Sequence, residues 1–138
     1  MTNAAAKMFV SFLESSDMNY SIVNEEKAII RVGWNLEGTR ISIYFQFDQD
    51  CKSVHIVGND FMSFSADKIE KMYKIMNDCN QKYRWVKFTV DASDNTAAVE
   101  CDAVIQLDTC AEEVTELMLR MVKIVENAYP IMMKALWA

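Results

Sequence analysis

The sequence predicts an α+β domain in which three amphipathic helices cover an antiparallel sheet, in the order α-β-β-β-β-α-β-β-α. Three observations carry this. Apolar residues alternate along the chain between a period near 3.6 and a period of two. The period-two stretches occur in groups joined by short polar turns, which marks hairpins and a meander rather than parallel crossovers. The composition is 51% apolar and 25% charged, with three glycines and one proline in 138 residues, as expected of long regular elements and short loops. That length makes one domain, residues 1–138, which buries roughly two-thirds of the surface its unfolded chain exposes.

The first helix has Ala5, Met8, Phe9, Phe12 and Leu13 on one face and stops at Ser15, Ser16 and Asp17. A short extended piece, Tyr20 to Val23, precedes a strand in which Ile30, Val32 and Trp34 alternate with Arg31, Gly33 and Asn35. The turn NLEGT (Asn35 to Thr39) contains Gly38, which takes a positive φ at little cost. Beyond it Ile41, Ile43, Phe45 and Phe47 point one way, and Ser42, Tyr44, Gln46 and Asp48 the other. Val54 and Ile56 continue the meander, with His55 on the opposite face.

Ser63 or Ser65 caps a second helix whose apolar stripe is Ile69, Met72, Tyr73, Met76 and Tyr83. A second hairpin follows. Val86, Phe88 and Val90 form one strand, ASDN the turn, and Ala97, Val99, Cys101, Ala103, Ile105 and Leu107 the inner face of the return strand. Thr109-Cys110-Ala111-Glu112 fits a capping box opening the third helix. Its seam is Val114, Met118, Met121, Val125, Ala128 and Met132, and Pro130 is expected to kink or end it.

Several function classes are disfavoured by the residues themselves. A formal charge of −6 with scattered Lys and Arg repels a phosphate backbone, so nucleic acid is not expected as a partner. No apolar run is long enough to cross a membrane, and the N-terminus lacks the pattern of a secretory leader, which points to the cytoplasm. Cys51, Cys79, Cys101 and Cys110 show no C-x-x-C spacing, and His55 is the single histidine. The cysteines therefore read as buried thiols, and no metal site is expected. No glycine-rich phosphate loop exists, so no cofactor is assigned. His55 stands between Val54 and Ile56 with no nucleophile near it in sequence, and Asp48-Gln49-Asp50 lacks the glycine of a calcium loop. No catalytic residue is assigned.

The segment from Tyr129 to Ala138 is unusually apolar for a terminus. It either docks on the chain's own core or is covered by another chain, and a homodimer satisfies both. Ten methionines suit an adaptable groove as well as core filling.

Four stretches together resemble the YbjN family of bacterial proteins, whose fold is similar to that of type III secretion chaperones. They are IxIxFxFD from Ile41 to Asp48, the NxxN of Asn77 and Asn80, FxVD from Phe88 to Asp91, and AYPxMxKALW from Ala128 to Trp137. A DG turn is usual after FxVD in that family, whereas Ala92 and Ser93 stand here. The resemblance implies a non-enzymatic, often dimeric domain that binds other proteins in a chaperone-like or regulatory role.

The expected function is thus a cytoplasmic protein-binding module acting as a homodimer. The expected contacts are Met132, Met133, Leu136 and Trp137, with Trp34 and Tyr44 on opposite sheet faces. The alternative is a small-molecule sensor or minor enzyme with a pocket between helices and sheet.

Overall fold

Asn3 starts the first helix by accepting the Ala6 N–H on its side-chain oxygen at 2.9 Å. The computed structural model describes every residue from Met1 to Ala138 and carries this helix, α1, over Ala4–Ser15. Ala5, Ala6, Phe9 and Leu13 are its buried face, while Met8, expected inside, is exposed. Phe9 is buried as expected, its ring 4.7 Å from that of Phe45 and 5.8 Å from that of Phe47.

Six strands follow the alternation closely: β1 Ser21–Asn24, β2 Ile29–Leu36, β3 Thr39–Phe47, β4 Ser53–Asn59, β5 Lys87–Asp91 and β6 Thr96–Val104. They form one antiparallel sheet in the order β1-β2-β3-β4-β6-β5. Leu36 pairs with Thr39 across a two-residue turn in which Gly38 has φ +86°. Ile41, Ile43, Phe45 and Phe47 are all buried, as the period of two requires. On the return strand Ala97, Val99 and Cys101 are buried, but pairing stops at Val104, and Leu107 lies exposed beyond it.

Ser65 precedes a turn of 3-10 helix, Ala66–Lys68, which leads into α2, Ile69–Lys82. The buried stripe of α2 is Met72, Ile75, Met76 and Cys79. Tyr73 faces solvent and Tyr83 falls just past the helix, so the stripe is rotated from the expected one. The reason is α2's neighbour: the helix packs on edge strand β5, and the Asn80 side chain donates to Phe88 O at 3.0 Å and accepts Phe88 N–H at 2.6 Å. Asn80 thus acts as a short extra strand, satisfying edge groups that would otherwise invite another chain.

Helix α3 runs over Cys110–Leu136 with Pro130 inside it, so the proline does not end the helix. Its start departs from the capping-box reading. Glu113, not Glu112, takes the Thr109 hydroxyl at 2.9 Å and the Gln106 N–H at 3.0 Å. The six seam residues, Val114 to Met132, are fully buried. They join α1, α2 and the inner sheet face in one cluster of 33 buried residues, leaving the outer sheet face uncovered by any helix.

Candidate protein-binding surface

The last turns of α3 divide between inside and outside because an apolar seam at helical spacing leaves every third or fourth side chain facing away. Met132 and Leu136 are 0% and 1% exposed, so both belong to the chain's own core. Ile131 is 41% and Trp137 68% exposed. Met133 is half-buried and, with Tyr129, Phe61 and Met62, lines a cleft of about 450 Å³. The Trp137 ring is held by Lys68, whose ammonium lies 4.8 Å from its centroid. Lys71 donates to Ala138 O at 2.6 Å.

Trp34 and Tyr44 do sit on opposite sides of the sheet. Trp34 packs half-buried against the core with its indole N–H lacking an acceptor. Tyr44 lies half-buried on the outer face, paired with Arg31 and Val57. The six expected contact residues therefore occupy four settings: core, cleft, exposed helix end and outer sheet face.

A second exposed indole escaped the sequence reading. Trp85, in the link from α2 to β5, is 54% exposed and has φ +78°, a backbone region that bulky residues rarely adopt. Arg84 and Arg120 stack on it, their guanidinium carbons 5.5 and 4.7 Å from the ring centroid. Arg120 is oriented by Glu116 one turn earlier, at 3.0 Å. Since Lys68 at the start of α2 reaches Leu136 O and Arg120 reaches Trp85 beyond its end, the two helices run antiparallel with an indole at each end. The separation along α3 is roughly 24 Å at 1.5 Å per residue. The available signal was phase: Trp85 alternates out of step with Val86, Phe88 and Val90.

On the outer sheet face His55 meets carboxylates that are distant in sequence. Its Nδ1 is 2.6 Å from Asp102 Oδ1 and its Nε2 3.7 Å from Glu100 Oε1, because β4 pairs with β6 in that register. A shallow cavity of about 260 Å³ adjoins it. Its one hydroxyl, Ser53, donates to Asp48 rather than to the imidazole. Burial pushes the Cys79, Cys101 and Cys110 thiols above the ordinary thiol range, which holds them in the protonated, poorly nucleophilic form. No three His, Cys, Asp or Glu side chains are grouped to hold a metal ion. No helix is long and apolar enough to cross a membrane.

An antiparallel sheet with one bare face, three helices on the other and this element order define an α+β fold of the type III secretion chaperone-like class. Solved structures share it, among them the following two. YbjN, "a putative transcription regulator from E. coli", superposes with a TM-score of 0.64 at 8% identity over 90% of each chain. The ExsC-ExsE complex contains a chain that superposes with a TM-score of 0.57 at 10% identity, over 88% of this chain and 90% of that one. Residues 6–127 match the model of the family described as "Putative bacterial sensory transduction regulator", and the chain belongs to this YbjN family. No protein of curated function matches the sequence.

Proposed function

We propose that this protein is a non-enzymatic binding module, a homodimer in the bacterial cytoplasm, that recognises a segment of another protein in a chaperone-like or regulatory role. The observation that carries the reading is the pair of exposed indoles, Trp137 and Trp85, at the two ends of the α2–α3 layer. The chain's core is complete without them, and Trp and Arg are among the side chains that most often dominate the binding energy of protein interfaces. Two likenesses support it. The family is described as regulatory, and the similar fold of ExsC is found in a complex with ExsE.

The test is affinity capture with quantitative mass spectrometry, comparing wild type with Ile131→Ser/Trp137→Ser and with Trp85→Ser. A discrete partner recovered by wild type and lost from either variant is the expected result. Equal recovery throughout removes both indoles from the interface. Light scattering is expected to give twice the 15.9 kDa chain mass.

The cleft beneath Tyr129 and Met133 supports a second reading, a small-molecule sensor. A thermal-shift screen against metabolites separates the two, since a ligand at a hundred times its dissociation constant stabilises by about 2.7 kcal/mol.

A further inference from the structure

The outer sheet face carries a feature that the binding-module reading does not use. The chain has four arginines. Arg84 and Arg120 stack on Trp85, and Arg120 also pairs with Glu116. Arg31 and Arg40 form no ion pair with any carboxylate, although acidic residues outnumber basic ones by 20 to 14. They are also brought together. A methyl group on the Cα of Gly33 would lie 3.7 Å from Arg40 Nη2, and 3.8 and 3.9 Å from Arg31 Nη2 and Nη1. The two guanidinium groups thus close over the one residue of β2 that has no side chain.

The arrangement is anchored. Arg31 Nη2 donates to the hydroxyl of Ser42, itself 2% exposed, at 2.8 Å. The cross-strand pair Gly33–Ser42 places that hydroxyl beside the gap. Around it a cavity of about 270 Å³ is completed by Asn19, Ser21 and Asn35, which add amide and hydroxyl donors. Tyr20 also lines it, with its own hydroxyl bonded to Glu14.

We propose that this cradle binds a phosphoryl dianion. Two like charges held side by side without a counter-charge repel each other, and an anion between them removes that repulsion while gaining charge-assisted hydrogen bonds. A phosphoryl group brings close to two negative charges and three acceptor oxygens, which matches two guanidinium groups; a carboxylate supplies half the charge and is filled by a single bidentate arginine. The cavity admits phosphate or the head of a phosphorylated side chain.

The probe is inorganic phosphate, titrated calorimetrically into the full chain at constant ionic strength. Saturable one-to-one binding is expected. Arg40→Gln, an exposed position, weakens it about ten- to a hundredfold, the range for a lost hydrogen bond to a charged group. Gly33→Ala is expected to lose about tenfold by keeping the anion from one of the two guanidinium groups, and its methyl meets nothing closer than 3.7 Å, so folding is kept. Lys74→Gln, altering a charge paired with Asp78 on α2, leaves binding unchanged.

A phosphoserine peptide that binds more tightly than phosphate identifies a modified protein as the source. Equal or weaker binding identifies a small free phosphate. No saturable binding by either ligand overturns the proposal, as does unaltered affinity in Arg40→Gln or a glutamate peptide that matches the phosphoserine one. The phosphate titration needs no protein partner, so its outcome is separable from that of the binding-module reading.

Discussion

Replacing Pro130 with alanine is expected to stabilise the protein. Helix α3 continues to Leu136 past a residue that cannot donate to the carbonyl of Glu126. A proline in a helix interior costs about 3 kcal/mol relative to alanine. Against this, proline stiffens the unfolded chain, an advantage of about 0.4–1 kcal/mol that alanine gives up. Pro130 is exposed, so a smaller side chain leaves no cavity in the core. The net expectation is a gain of about 2 kcal/mol. With a urea dependence of about 2 kcal/mol per molar, the unfolding midpoint rises by about 1 M. Far-UV circular dichroism along a urea titration measures it. An unchanged or lower midpoint at the same slope refutes the reasoning, because it shows that a bend imposed by the proline is what seats Met132 and Leu136.

Asn80→Ala is expected to lose about 1–3 kcal/mol, since it strips both partners from the Phe88 backbone; urea titration checks it, and Asn80→Asp, which can only accept, should recover part of the loss. Phe9→Ala removes a buried ring tilted against two others and is expected to cost about 3–5 kcal/mol by the same assay. Stability should also fall in alkali. Cys79, Cys101 and Cys110 have folded pKa values raised by burial, so their contribution is complete below the ordinary thiol range of about 8.5 and is lost as pH rises through the folded values. Urea midpoints from neutral pH to about 10 should decline, and less steeply in Cys101→Val; a flat wild-type profile rejects the assignment.

The elements most legible in the sequence were those whose burial is one-sided and long. The alternation from Ile41 to Phe47 and the seam from Val114 to Met132 each repeat enough times to define a face without knowledge of the neighbours. Where an element is covered from two directions, period alone misplaced the face. Helix α2 touches both β5 and α3, so Ile75 and Cys79 are buried in place of Tyr73. Pro130 lacks the donor that continues a helix, yet tertiary burial of Met132 and Leu136 carries α3 beyond it.

The surface was less legible because its features come from register. His55 meets Asp102 only through the pairing of β4 with β6, and Arg31 and Arg40 come to flank Gly33 only through the pairing of β2 with β3. Trp137 was singled out as apolar and terminal, and it lies outside. Trp85 is harder to read, because one residue out of step with Val86, Phe88 and Val90 is too short a signal to define a face.

The seam of α3 has a consequence for synthesis. Strands β1 to β4 can pair as a local meander as soon as they emerge, but the greasy side of that layer waits for α3, which follows all six strands and against which α1 must also pack. The nascent chain therefore stays partly uncovered on the ribosome until α3 has been released, so a stall between β6 and α3 exposes a sticky intermediate that quality-control factors would be expected to recognise.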